Sequence, residues 1–298
     1  MTADNTYNEI SKTINLFNTR FMENVATNQE SMWKVIFKTV KNLETNAAGD
    51  IIPNTKNLKI LRTLRGDLSK VIVSPRYKSD LKEYLGGFDE LKGINDVYYS
   101  AIASSTLNAN KNIFKEIVSS SIEATKNSLL DSGISANVIA PIEKILSQNV
   151  TTGGSFSDLV EALRIDILGS PDKLGYLERY TSQITTDSLN QFNANYNIAV
   201  SNDLGLEFYY YAGSEKTTSR TYCINQIDKG RYFHKKEVEA SASKEWAGKI
   251  PNTNSSTIFV YRGGYRCGHQ YLATNALLVP KDVIDRNIAN GNYKPLND

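Results

Sequence analysis

Through its first two hundred residues the chain repeats apolar side chains at the α-helical period, and this constrains the fold more than any other feature. Tyr7, Ile10, Ile14, Phe17 and Phe21 are spaced 3, 4, 3 and 4 residues apart, which places them on one stripe of a helix. Trp33, Ile36, Val40 and Leu43 repeat the pattern out of register with the first stripe. The polar stretch Thr27-Asn28-Gln29 between them reads as a bend or a change of packing partner. Breakers then segment the chain at Pro53, Pro75, Gly86-Gly87, Pro141, Gly153-Gly154 and Pro171. Ser155, three residues before Asp158, opens the run Leu159, Leu163, Ile167 as a capped helix start does. A last helix is expected from about Leu174 to Val200, with Leu177, Tyr180 and Ile184 on one face. Nothing in this stretch looks catalytic. Its stripes read as helix–helix packing faces, and such faces also serve as docking surfaces.

The pattern changes after Gly205. Leu206–Ala212 is aromatic and apolar, a strand by propensity, and Arg231-Tyr232-Phe233 is a second short strand. Lys235 to Ala247 reads as a helix, and Thr257–Tyr261 as a further strand closed by Arg262 and the turn pair Gly263-Gly264. Composition shifts at the same place: 13 of the 29 aromatic residues lie in 207–298, which also hold 13 basic against 9 acidic side chains. The fold class expected is therefore α+β, a long mainly α-helical N-terminal region (1–204) followed by a small α+β C-terminal module (205–298). At this module's size a hydrophobic core alone is marginal, and a metal or partner often helps.

Several classes drop out. Two cysteines cannot staple 298 residues into a disulfide scaffold. No apolar run approaches the ~18–20 residues of a membrane span. The first residues, MTADNTYNEISKT, carry neither a basic n-region nor an apolar h-region, so no signal peptide is expected. A net charge of +2 does not by itself imply nucleic acid or membrane. The expectation is a soluble protein made inside the cell.

The scarce residues are concentrated. Cys223, His234, Cys267 and His269 are all the cysteines and histidines present, and they fall within one 47-residue window. Two thiolates and two imidazoles would suit tetrahedral zinc, and Gly268 would permit the turn that the close pair Cys267 and His269 needs. Buried small thiols with hydrogen-bonded histidines are the plainer reading. A cysteine nucleophile activated by histidine is a third, without a clear third member. A Cys223–Cys267 pair made in cytoplasm would normally stay reduced.

From Leu189 onward the chain resembles the phage head-morphogenesis family typified by the Mu F-like minor head proteins. The resemblance rests on Gly205 with Phe208–Tyr211, then Thr218-Ser219-Arg220-Thr221-Tyr222-Cys223. Gly230-Arg231-Tyr232-Phe233, Glu237 and Gly263-Gly264-Tyr265-Arg266-Cys267-Gly268-His269 complete the ordered set, from about Tyr176 to Thr274. The chain departs from many members at Gln226, where a second cysteine is usual, and at Gly268, where arginine is usual. The resemblance implies a non-enzymatic virion protein at the capsid interior or portal vertex, made in the host cytoplasm and present in several copies. Its implied partners are the portal protein, other head proteins and packaged DNA, without membrane contact. Arg220, Cys223, Gly230, Gly263, Gly264, Cys267 and His269 would be its structural motif. Arg220, three residues before Cys223, is separately expected to make a bidentate hydrogen bond inside the module.

Two further expectations concern chemistry. Ten basic against four acidic side chains lie between 216 and 269, interleaved with Tyr222, Tyr232, Phe233, Tyr261 and Tyr265. Lys229, Arg231, Lys235, Lys236, Arg262 and Arg266 are the candidate DNA-facing set, against the alternative of a solvated basic face. The alternative function is a capsid-carried effector, a Cys/His-based hydrolase or toxin, ejected with the genome. Only some 20–25 residues follow the motif, too few for a further domain at usual sizes. A zinc-dependent nucleic-acid-binding module outside the virion is another.

Overall fold

The computed structural model describes residues 2–103, 107–108 and 111–295, so the few remaining positions of the two expected segments lie outside the described residues. Helices dominate up to residue 203: α1 (Ala3–Val40), α2 (Thr55–Ile72), α3 (Pro75–Ile102), α4 (Asn112–Leu129) and the short α5 (Asp131–Ile134). A π-helical turn, Ser135–Ile139, joins α5 to α6 (Ala140–Thr152), and α7 (Phe156–Leu168) and α8 (Tyr176–Asp203) follow. The C-terminal part contains β1 (Phe208–Ala212), α9 (Thr221–Asp228), β2 (Tyr232–His234), α10 (Lys235–Ser241), α11 (Ile258–Tyr261), β3 (Gln270–Thr274) and α12 (Lys281–Ala289). The long helical region and small α+β part match the expected fold class. Among the described residues no helix is long and apolar enough to cross a membrane.

The chain divides into two compact units, each made of separated segments. One comprises 16–86 and 122–185 and is all helical apart from isolated bridges. Phe21 packs against Tyr77 and Tyr84, with ring centroids 5.6 and 5.3 Å apart. α1 runs unbroken through Thr27-Asn28-Gln29; the buried Gln29 side-chain oxygen accepts the Glu178 N–H at 2.6 Å, satisfying an orphan donor in the first turn of α8. Asn54 caps α2, Ser155 caps α7 as its spacing predicts, and Gly153 ends α6 in the left-handed conformation at φ +70°.

The other unit comprises 1–15, 87–121 and 186–298. The C-terminal residues thus share a compact unit with parts of α1, α3, α4 and α8, not only with each other. Its sheet has the order β2-β1-β3, antiparallel throughout, with Phe208 opposite His234 and Thr274, and Ala212 opposite Gln270. The outer edge of β3 is closed by α3. The Tyr98 hydroxyl donates to the Ala273 carbonyl at 3.1 Å, while the Ala273 N–H donates to the Tyr99 hydroxyl at 3.3 Å. Tyr99 also donates to Asn197 of α8. Two tyrosines thereby satisfy backbone groups that an open edge strand would leave unpaired.

Three local expectations are corrected. Thr257–Tyr261 is not a strand: Ile258–Tyr261 is a helical turn, preceded by a turn that the Asn254 side chain closes by accepting from Ser256 N (2.9 Å) and Thr257 N (3.2 Å). This local side-chain turn outweighs β-propensity in a run too short for periodicity to decide. The helix from Lys235 stops at Ser241, short of Ala247. Gly86-Gly87 does not break α3; the ~1 kcal/mol cost of a helical glycine is small beside the burial of Tyr84 and of Phe88 on its two flanks. β3 and α12 went unpredicted.

Candidate functional site

Cys223 lies in α9, whose buried face is Tyr222, Cys223 and Gln226. Cys267 and His269 lie on the approach to β3, beyond a backbone folded tightly by Arg262 (φ +49°), Gly264 (φ +116°) and Arg266 (φ +55°). These conformations are rare for L-residues other than glycine, and they turn Cys267 and His269 inward while Gly268 stays exposed. The two sulfurs stand 3.8 Å apart, both free thiols, and Cys267 Sγ is 3.8 Å from His269 Nδ1. All three candidate ligand atoms lie within 4.8 Å of one another, and all three residues are buried.

The walls of this cluster are close. A Cβ on Gly263 would come under 3.0 Å from Cys223 Sγ and 3.2 Å from Cys267 Sγ; a Cβ on Gly213 would sit 2.6 Å from His269 Cδ2. The Tyr211 ring stacks on His269, interplanar angle 4° and centroids 5.1 Å apart, with its hydroxyl 4.0 Å from Cys267 Sγ. Trp246 stacks on Tyr222 and donates its indole N–H to the Gly263 carbonyl at 3.0 Å. Arg220 donates to the Tyr265 carbonyl at 2.7 Å, its side chain lying against Gly248. Gly230 supplies the positive φ (+88°) of the turn from α9 to β2.

The electrostatics are asymmetric. A hydrogen bond from Cys223, then those of His269 and the Arg262 guanidinium field, hold the Cys267 thiol well below its ordinary range despite burial. The hydrogen bond to Cys267 and burial push Cys223 up. Two sulfurs beside an imidazole are a soft donor set of the kind zinc takes. Cys267 also lines a cleft of about 190 Å³ with Asp187, Asn190, Arg262 and Arg266. Burial raises the Asp187 carboxyl there, against the pull of the two arginines.

Of the four expected ligands, three converge and His234 does not. His234 pairs with Phe208 at one end of β1, whereas His269 adjoins Gln270, which pairs with Ala212 at the other. Four residues of strand separate those ends, about 13 Å at ~3.3 Å per residue. His234 instead caps α10: its Nδ1 accepts the Lys236 N–H at 3.2 Å, and Glu237 answers by accepting the His234 N–H at 2.9 Å. Its ring packs edge-on against Phe208.

The basic set also divides. Arg262 is 4% exposed and donates to the Gln270 side chain at 3.0 Å, so it faces the interior. Half-buried Arg231 donates to the Tyr211 and Gly213 carbonyls at 3.1 and 2.7 Å. Lys229, Lys236 and Arg266 are exposed and Lys235 is half-exposed. Of the interleaved rings, Tyr222 and Phe233 are buried and only Tyr265 is exposed. Gly213 and Asp187 belong to the site without any sequence signal that marks them, and Tyr211 is legible only as part of the aromatic motif strand, not as a site residue. No family model, curated protein or solved structure matches this chain.

Proposed function

We propose that this chain is a minor head protein of a tailed phage, resident in the virion at the capsid interior or portal vertex. Its partners in this reading are the portal protein, neighbouring head proteins and the packaged DNA, and its helical faces are the docking surfaces. The observation that carries the reading is the convergence of the ordered motif. Arg220, Cys223, Gly263, Gly264, Cys267 and His269, spread over fifty positions, meet around one buried pair of sulfurs. A motif that closes on itself is the behaviour expected of a structural signature.

The effector reading would make Cys267 a nucleophile with His269 as its base. Cys267 is 5% exposed, which leaves its sulfur little access for a substrate. That burial favours a structural role. Contact with DNA in this reading falls to Lys229, Lys235, Lys236 and Arg266, as a backbone contact without ring stacking.

Mass spectrometry of purified particles of the virus encoding the chain tests the proposal. The expected result is the chain at a few copies relative to the major capsid protein, co-purifying with portal after particle disruption. Its absence from mature particles and from head-assembly intermediates would overturn the reading.

A further inference from the structure

We propose that Cys223, Cys267 and His269 hold one zinc ion, with a solvent molecule in the fourth position. This stands on geometry and is independent of the virion reading. With Zn–S near 2.3 Å and Zn–N near 2.0–2.1 Å, a tetrahedral site has an S–S edge of about 3.8 Å and an S–N edge of about 3.6 Å. The Sγ–Sγ separation is 3.8 Å and the Cys267 Sγ–His269 Nδ1 separation 3.8 Å. A disulfide would need the sulfurs at about 2.05 Å. Two of the three edges therefore match a tetrahedral ion, and the third lies within 4.8 Å.

The surroundings suit the same occupant. Two thiolates neutralise a divalent ion, so a buried site of this composition carries no net charge. Two metal–sulfur bonds form on binding, and any proton still on either sulfur, chiefly that of Cys223, leaves to solvent. The Tyr211 hydroxyl, 4.0 Å from Cys267 Sγ, is placed as a donor toward a thiolate, and its ring fixes the plane of the His269 imidazole. Gly213 and Gly263 bring backbone against the ring and the sulfurs, leaving no room for the ligands to swing away. Among the described residues no fourth His, Cys, Asp or Glu joins the group. The fourth ligand is therefore water, reached from the cleft that Cys267 lines. The ion would tie α9 to the approach to β3, joining segments 44 residues apart.

The test uses the full chain without a histidine tag. Elemental analysis should find about one zinc per chain, and Cys223→Ser, Cys267→Ser and His269→Ala should each lose most of it. Because those variants can also fail to fold, the wild-type chain is stripped with chelator and refilled with cobalt(II). A thiolate-to-cobalt charge-transfer band and intense tetrahedral ligand-field bands are expected, bleached by one equivalent of zinc. Zinc-edge X-ray absorption should give two sulfurs, one imidazole nitrogen and one further light atom. A freshly purified chain that is zinc-free, takes up no cobalt and melts identically in chelator would overturn the site. So would a shell without two sulfurs, or a Cys223–Cys267 disulfide in protein purified under reducing conditions.

Discussion

Gly263→Ala is the smallest change that reaches the sulfur cluster. Gly263 has an ordinary negative-φ backbone, so alanine meets no conformational penalty there and any cost is steric. The added Cβ would come under 3.0 Å from Cys223 Sγ and 3.2 Å from Cys267 Sγ. Ordinary contact begins near ~3.5 Å, so Cys223 must retreat by roughly half an ångström or more. Retreat is hindered, because Trp246 holds the Gly263 carbonyl from one side and covers Tyr222. Overpacking of this kind costs about 1–3 kcal/mol, and two sulfurs against one methyl place the value in the upper half. With m in urea of ~1–3 kcal/mol/M, the midpoint should fall by about 1 M. The reporter is Trp246 fluorescence in a Trp33→Phe background, which isolates the unit containing the cluster. Gly93→Ala is the control: in α3 a Cβ there meets nothing within 4 Å. It should stabilise by about 0.5–1 kcal/mol, since alanine loses less backbone entropy than glycine in a helix. A Gly263→Ala midpoint equal to or above wild type would refute the steric reasoning, because no other term in the change is unfavourable.

Tyr99→Phe should cost about 1–3 kcal/mol in the same urea assay, because it strips partners from the buried Asn197 side chain and the Ala273 N–H; a loss below ~0.5 kcal/mol would mean that the β3 edge is satisfied in another way. Glu237 is held below the usual carboxylate range: burial acts to raise it, but hydrogen bonds from the His234 N–H, Arg286 and Asn287 outweigh that. Its contribution is present above its unfolded value, near ~4.3, and is lost as pH falls through the folded one. Urea midpoints of wild type and Glu237→Gln should therefore converge on acidification below about pH 4. Burial, assisted by Lys235 and Lys236 and opposed by Glu207 and Glu237, lowers the pKa of His234. The unfolded chain then binds a proton that the folded chain resists, so stability from this group is complete above ~6.5 and declines below it. His234→Asn keeps a side-chain acceptor at the cap and should flatten the wild-type decline between pH 6.5 and 5; an unchanged slope in that window would assign the decline elsewhere.

What was legible in the sequence divides by the range of the interaction that decides it. The helical stripes were legible because neighbours three and four residues apart are set by the helix itself, and Ile10, Ile14, Phe21, Ile36 and Val40 are all buried as their spacing requires. β3 was not, because Gln270–Thr274 is buried on both faces and shows no alternation to read. Its edge is completed by hydroxyls more than 170 residues earlier. The same distinction separates the members of the Cys/His set. Proximity in sequence grouped His234 with Cys223, yet the order β2-β1-β3 and its register place His234 at one end of the central strand and Gln270, next to His269, at the other. Cys223 and Cys267, far apart in sequence, are joined by backbone turned through positive φ at Arg262, Gly264 and Arg266. Arginine at such a position carries no signal of its own, so a count of basic residues assigned Arg262 to the surface. The structure gives it the interior, where its field acts on Cys267. Charge counted along a chain measures residues per length, whereas a nucleic acid responds to charge per exposed area. Once Arg231 and Arg262 are bound to carbonyl and amide oxygens, the exposed cations that remain number fewer than the motif's composition implies. Of the rings that could have stacked on bases, Tyr222 and Phe233 are buried, and Tyr222 lies beside Gly263 at the sulfur cluster.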